Sequence, residues 1–502
     1  MKKKLLSVLL CVSMLTAMIT GCGKDQPPSN EGSSEQSSES SAVQEESKEE
    51  AEESEEGLKV EAAVVTTSGY EINTDLDLET EVTLDIVGPA LFQNENETTD
   101  LVSGLVKPGY SVIADRWNEL YPNVKLNFNI CPWSDWQSSI TTACLDGNAD
   151  VIMHGATMID LTEDLAPYIE ADSGYRVKIY VLATRRTTEK PSEWKVSGIS
   201  GYTAPWVVWV DVEKFKAMGV ELPSDDWTIE EFMDIAQRMT GKNPDTGEDI
   251  WGMQMYSSGG GNLFFNYMLF AYIHGAQTFV YGDTLADCQV NFDSPEAIQA
   301  FQTIADLAQC ESPEVREGVA VSGTLDGSNN WAMIMKNTPI ADYLQIKELG
   351  LTDKYKIYNA PVISTGEYKG IPSPYFGDEN LAMYKDSDAK EWVWEFIKFM
   401  TTDEVATQWI VDNLIYPNNK EAIDAVMEII DERTADVMNR AMSTMPENFN
   451  GSTNDNFNNV SFGSVTANLT TAVDDVINGR QTAEEAAEFM QGTVEEFLSI
   501  SQ

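Results

Sequence analysis

Little in this chain can do acid–base or metal chemistry. Its 502 residues include two histidines, His154 and His274. Neither lies in a His-Glu-x-x-His motif, and no Gly-x-Ser-x-Gly motif occurs. Two histidines cannot build a His-rich metal site, and the cysteine spacings match no zinc or iron–sulfur pattern. No catalytic residue, metal or cofactor is therefore expected. With 82 Asp plus Glu, a pair of carboxyls at glycosidase separation would arise from composition alone. The 12 tryptophans are more informative. An aromatic ring can cover the apolar C–H face of a sugar, while Asp, Glu, Asn and Arg side chains bond its hydroxyl rim.

Position selects among the aromatics. Trp133 and Trp136 stand in Cys131-Pro132-Trp133-Ser134-Asp135-Trp136, just beyond a strand expected over 124–130. Ligands sit outside the C-terminal ends of parallel strands, so both are candidates, with Trp136 also placed to pack its helix. Trp206 alternates with Trp209 across an aromatic, β-branched run, so the two face opposite sides. Trp206 is the ligand candidate of that pair. Trp331, Tyr375, Phe376, Phe457 and Phe462 complete the set, the last two flanking an asparagine-rich stretch over 444–463. Trp227 follows a turn and precedes a helix cap, which marks a packing anchor. Trp392 is expected in the core.

These residues need a scaffold. Residues 81–88 alternate as a strand and end at Gly-Pro. A helix follows over 111–120, then strand 124–130, a helix through Ile140 and Leu145, and strand 149–153. This order predicts a parallel sheet with helices on its faces, without a phosphate-binding glycine loop. Thr228 with Glu231 reads as a capping box, and Ser294-Pro295-Glu296 as a helix start. Further helices are expected over 263–274, over 389–400 and from Thr482 onward.

The N-terminus stands apart. Met1-Lys2-Lys3-Lys4 and an apolar run to Ile19 form a secretory signal too short to span a bilayer. It ends Ile19-Thr20-Gly21-Cys22, a lipobox in which the Cys22 thiol takes a diacylglycerol after cleavage. No later stretch is apolar enough to cross a membrane, so the remainder is expected outside the cytoplasm, anchored to the outer face of the cell membrane by acyl chains on Cys22 alone. Residues 23–57 carry 12 Asp or Glu against two Lys, or 2 − 12 = −10, and show no apolar period. The expected disordered tether runs over 22–80.

The chain's net charge is −50, from 32 basic and 82 acidic residues. That balance lacks the basic density of a nucleic-acid surface. Outside the cytoplasm disulfides are permitted. Cys131, Cys144, Cys288 and Cys310 allow three connectivities, of which Cys131–Cys144 with Cys288–Cys310 closes the shortest loops.

Several segments then occur in a telling order. They are Trp117 to Val124, Gly147-Asn148-Ala149-Asp150-Val151, Leu161 to Ile169, and Phe215 to Gly219. Asp226-Trp227-Thr228-Ile229-Glu230-Glu231-Phe232, Asn291 to Ala297, Trp331-Ala332-Met333, Ala389 to Thr402 and Gly479 to Glu485 follow. Behind a lipobox, this series resembles the bacterial extracellular solute-binding proteins that serve carbohydrate and related ABC importers. The resemblance spans about 81–500.

It implies an α/β, two-lobed periplasmic-binding-protein-like fold. Each lobe would be a mainly parallel sheet flanked by helices, with a hinge and an interlobe cleft. Residues 81–190 plus 334–410 would form one lobe, and 191–333 plus 411–502 the other. The implied function is capture of a sugar or oligosaccharide for an ABC permease by a monomeric, non-catalytic protein. A peptide, polyamine or organic anion is the alternative ligand, and glycan capture without a transporter the alternative role. Two departures from the family pattern stand out. Val210-Asp211 replaces the usual Tyr-Asn, and Asn329-Asn330-Trp331 replaces the Gly-Lys before Ala332-Met333.

Overall fold

The computed structural model describes residues 65, 67 and 69–500, apart from 90–91, 100–104, 133–134, 154–157, 177, 180–181, 188–189, 256–262, 317–324, 367–368, 373–375 and 444–461. The signal segment, Cys22 and the acidic stretch over 23–57 lie outside the described residues. We number the strands of the two principal sheets and the helices of seven or more residues.

The first sheet holds β1 (Val82–Gly88), β2 (Val124–Ile130), β3 (Val151–Met153), β4 (Leu182–Arg186) and β5 (Trp194–Pro205). β9 (Phe376–Met383) and β10 (Tyr416–Pro417) return to it later in the chain. Its order is β10-β5-β9-β3-β1-β2, with β4 on β5. The expected parallel pairing is formed at one side of the sheet, Val82 opposite Val124 and Ile86 opposite Val151. β9, β5, β4 and β10 run antiparallel.

Helix α1 (Ser111–Leu120) buries Ile113 and Trp117, and the Trp117 Nε1–H donates to the Val124 carbonyl at 3.1 Å. One indole thus fixes α1 to the start of β2. α2 (Trp136–Leu145) buries Ile140 and Cys144. α8 (Lys390–Thr402) and α9 (Glu404–Asp412) close the first-lobe core with Trp392, Phe396, Phe399 and Trp409.

The second sheet is small and wholly antiparallel. β6 (Val207–Asp211) lies between β7 (Met333–Lys336) and β8 (Tyr355–Asn359). All five residues of β6 are buried, so both its faces are covered. One face meets the largest core, built from α4 (Ile229–Met239), α5 (Phe264–His274), α6 (Pro295–Ala308), α12 (Phe462–Ile477) and α13 (Ala483–Ile500). The other meets a third cluster, containing Trp209 and Trp331, with α7 (Pro339–Glu348), α10 (Lys420–Ile429) and α11 (Glu432–Ser443). α3 (Val212–Met218) follows β6 directly.

The expected caps form. The Thr228 hydroxyl accepts from the Glu231 N–H while the Glu231 carboxylate accepts from the Thr228 N–H. Thr482 and Glu485 repeat that box before α13, and Ser294 caps α6.

The sheets redraw three expectations. First, the run 199–210 is two strands in two sheets, separated by Trp206. Strand β5 therefore belongs with the first lobe, and 334–360 pairs with β6 in the second rather than joining 361–410. The chain passes between sheets at Pro205–Trp206, between β8 and β9, and after β10. Second, the tether does not extend to residue 80. Val65 is buried, and Tyr70 and Leu76 pack against the first-lobe core. Third, Cys131, Cys144, Cys288 and Cys310 form no disulfide with one another, so neither Cys131–Cys144 nor Cys288–Cys310 is present. Cys144 is enclosed beneath α2 and Cys310 in the second-lobe core, each serving as a small apolar side chain.

Candidate ligand cleft

A site that two lobes share must lie where the chain crosses between them and where the parallel strands end. β1 ends at Gly88, whose φ of +141° lies in a region side chains avoid. A Cβ there would come within 2.7 Å of the Met153 carbonyl oxygen. The glycine therefore lets the ends of β1 and β3 close against each other. The Cys131 N–H donates to the Gly88 carbonyl at 3.2 Å, which draws the end of β2 to the same point. Beyond β3 the chain is held back against β5. The Lys195 ammonium donates to the Ile159 and Thr162 carbonyls at 2.5 and 2.8 Å, and burial lowers its pKa. The ends of β1, β2 and β3 thus meet at one point.

The structure describes only some of the predicted aromatics. Trp133, Tyr375 and Phe457 lie outside the described residues, as does His154 and nearly all of the asparagine-rich stretch. Phe376 opens β9 with its backbone opposite Pro205, and Phe462 opens α12; the side chains of both fall outside the description.

Three others are placed, and they pack. Trp136 starts α2 and leans, half-buried, on the cluster of Val87, Ile140 and Ile152. Trp206 is 1% exposed in the second-lobe core, 6.2 Å from the Phe265 ring. Trp331 is equally enclosed, 5.9 Å from the Tyr355 ring, and its Nε1–H meets no acceptor. Neither Trp206 nor Trp331 offers an open ring face. Trp206 is consumed by bridging two sheets with a single residue, and Trp331 by seating β7 on the third cluster. Trp209 faces the side opposite Trp206, as alternation required, and donates its Nε1–H to Asp342 at 3.2 Å.

Two residues that break the family pattern meet. Asp211 caps α3 through the Glu213 and Lys214 N–H groups, and its other oxygen accepts from the Asn329 side-chain amide at 3.1 Å. Asn329 in turn accepts from the Tyr355 hydroxyl at 2.6 Å. Burial pushes the Asp211 carboxyl up, yet Lys214 and Lys354 outweigh it and hold the pKa below its usual range. An open groove of about 560 Å³ lies beside this cluster, lined by Glu213, Asp326, Gly327, Ser328, Gly350, Leu351, Asp353 and Lys354. It has no aromatic wall. The departures thus compensate one another at the end of the second sheet. Sequence reading saw each alone; their pairing becomes visible only once β6 and β7 are neighbours.

His274 takes no part in a reactive pair. It ends α5, bonds the Thr303 hydroxyl at 2.8 Å, and burial lowers its pKa to about 4. Among the described residues no group of three or more His, Cys, Asp or Glu could hold a metal ion, and no helix is long and apolar enough to cross a membrane.

Residues 104–407, more than half of the chain, match the model of the bacterial extracellular solute-binding protein family. An uncharacterized lipoprotein of Streptomyces antibioticus is 25% identical over 140 residues, which cover 26% of this chain and 30% of that protein. The fold resembles solved structures at low identity. An ABC substrate-binding protein of Listeria monocytogenes in complex with cycloalternan superposes with a TM-score of 0.59 at 16% identity, covering 84% of this chain and 99% of that one. A solute-binding protein of Agrobacterium radiobacter with ribitol gives 0.60 at 16%, covering 83% and 99%. One of Thermotoga lettingae with α-D-tagatose gives 0.57 at 18%, covering 84% and 100%.

Proposed function

The chain belongs to the bacterial extracellular solute-binding protein family, and from that premise we propose that it captures a sugar or oligosaccharide between its lobes and delivers it to an ABC permease. What supports the carbohydrate reading in this chain is the sequence order of its aromatics: Trp133 follows β2, Tyr375 and Phe376 stand at the entry to β9, and Phe457 and Phe462 stand before and at the start of α12. Similar folds bound to cycloalternan, ribitol and tagatose support it. Aromatic faces supply apolar contact to the ring C–H groups, and neighbouring Asn and Asp side chains supply hydrogen bonds to hydroxyls. Hinge closure then encloses the ligand and presents a distinct shape to the permease. Nothing in this cycle requires bond-breaking.

The anchor belongs to the same proposal. Cys22 carries the acyl chains, and residues 23–64 follow it in the sequence before the described body. Replacing Cys22 by Ser releases the protein into the soluble fraction; retention on the membrane contradicts the anchor. A thermal-shift screen of mono- and oligosaccharides, short peptides and polyamines tests the ligand class, since a ligand of the native state raises the midpoint. At a concentration 100 times Kd the gain is about 2.7 kcal/mol. A saccharide shift is expected. A shift with peptides or polyamines and none with saccharides overturns the reading.

A further inference from the structure

We propose that Ser192 and Asp283 form a clasp between the lobes that holds the ligand-free protein open and parts when the cleft closes. Ser192 stands in the turn between β4 and β5 of the first lobe. Asp283 stands in the turn that links Phe279–Val280 to Gln289–Val290 in the second. The Ser192 hydroxyl donates to the Asp283 carboxylate at 2.5 Å, joining the lobes away from every chain crossing.

Each turn is held firmly to its own lobe. In the first, the Thr187 hydroxyl donates to the Lys190 carbonyl at 2.7 Å and accepts from the Lys190 N–H at 3.1 Å. The Thr187 N–H donates to the Glu193 carbonyl at 3.0 Å, and the Glu193 N–H to the Lys190 carbonyl at 2.8 Å. Pro191, beside Ser192, is buried although Lys190 and Glu193 are exposed. Lys195, through the Ile159 and Thr162 carbonyls, ties the start of β5 to the first lobe. In the second lobe, Phe279 is buried in the large core and Leu285 packs on it. The Thr284 hydroxyl donates to the Asp287 carboxylate at 2.8 Å. A Cβ on Gly282 would come within 2.3 Å of the Asp287 Cβ, so the turn is drawn tight. Charge supports the contact. Glu193 holds the Lys190 pKa up, and Asp283 adds to that effect from the other lobe.

The position of the clasp sets the sign of its effect. Ile199 of β5 pairs with Leu381 of β9 on one edge and with Leu182 of β4 on the other. The strands β5 and β9 therefore stand between the hairpin and β3-β1-β2. β5 is also parallel to β3, since both are antiparallel to β9, and Ile199 and Met153 share Leu381 as partner. Ser192 precedes β5, so it lies toward the N-terminal edge of the sheet, whereas ligands belong beyond the C-terminal ends. β5 has 12 residues and spans up to about 40 Å to the crossing at Pro205–Trp206. A bond far from a pivot fixes the angle about it. A bond across the pivot from the cleft is pulled apart as the cleft closes. Weakening it shifts the ligand-free population toward closure and raises affinity.

The rise in affinity rests on the two-lobed saccharide reading, whereas the lobe separation is measured without ligand. Spin labels on unnatural ketone residues at exposed Val112 in α1 and Phe489 in α13 leave the thiols untouched. Pulsed dipolar spectroscopy reads their separation in the mature chain. Asp283→Lys sets a like charge against Lys190, and Ser192→Ala removes only the hydroxyl. The expected result is one separation in the parent, a second resolved population in Asp283→Lys, and a smaller broadening in Ser192→Ala. A folded Asp283→Lys chain with the parent distribution overturns the proposal. Should that variant fail to fold, Ser192→Ala decides by the same criterion. With the best saccharide of the screen, Asp283→Lys is expected to bind at least about threefold more tightly. Equal or weaker binding overturns the clasp and leaves the saccharide reading intact. Failure of the screen leaves the lobe separation to decide alone.

Discussion

The two lobes are held together by different kinds of core. In the first, ionised groups are buried and fully bonded. Glu395 gathers Tyr70, Tyr121, Asn73 and Lys398, and Asp403 caps α9 while pairing with Arg116 at 3.0 Å. In the second, α5 is buried along nearly its whole length, with the Tyr267 ring 4.2 Å from that of Phe301 and the imidazole of His274 at its end. The first core is ordered by hydrogen bonds and ion pairs of defined geometry. The second gains stability from apolar area, at about 25 cal/mol per Å² buried.

This contrast can be broken at points of decreasing weight. Trp227→Ala removes a fully buried indole that donates to the Asn359 carbonyl at 2.9 Å and meets Phe232 edge-on. It is expected to cost about 3–5 kcal/mol in chemical denaturation. A loss under about 1 kcal/mol would deny the second lobe its apolar character.

The next effect is a pH dependence. The unfolded His274 titrates near 6.5, and in the fold burial lowers it to about 4. Below pH 6.5 the unfolded state takes up a proton that the native state refuses, so its stability is complete above that pH and falls as pH drops toward 4. The loss approaches about 3 kcal/mol, at about 1.36 kcal/mol per unit. Denaturation midpoints of the parent and His274→Gln, compared from pH 7 to 4, should converge as pH falls. Parallel curves would place the imidazole in solvent.

Glu395→Gln keeps the shape of the first-lobe cluster but removes its charge, leaving one amide hydrogen to clash with the Tyr70 or Asn73 donors. It should cost about 2 kcal/mol. A double-mutant cycle with Tyr70→Phe should show coupling of about 0.5–3 kcal/mol, whereas a cycle pairing Glu395→Gln with Trp227→Ala should be additive within about 0.5 kcal/mol. The smallest effect is Thr228→Ala, which opens one capping box at a cost of about 1 kcal/mol.

Much of the scaffold was legible because local signals agree with the fold. Helix 111–120, strand 124–130 and the Thr228 and Ser294 caps stand where spacing and cap chemistry placed them. The return strands were legible only in part. β9 lies within 334–410, which the sequence assigned to the first lobe, whereas β10 lies in 411–502, assigned to the other, and a short apolar strand carries no mark of which sheet will receive it. The aromatic run 199–210 hid a sheet change, because Trp206 suits both sheets and only Pro205, which lacks an N–H, hints at the break. The ordered segment after the tether was legible in part. The acidic, serine-rich composition stops at residue 57, and Tyr70, Leu76 and Leu78 follow it, a shift that marks the end of the tether. For the candidate cleft, counting aromatics could not separate a platform from a packing residue. Trp206 and Trp331 show why: the same ring area that covers a sugar also fills a sheet crossing.

The central claim is that a saccharide binds between the lobes against aromatics at the strand ends. Titration calorimetry with the best saccharide from the thermal screen tests it, using the parent, Trp133→Ala and Trp206→Phe. The account predicts saturable 1:1 binding, weakened at least about tenfold in Trp133→Ala by loss of a stacking face worth about 1.4 kcal/mol or more, and nearly unchanged in Trp206→Phe. No saccharide binding to the parent, or full affinity in Trp133→Ala with loss in Trp206→Phe, would contradict it.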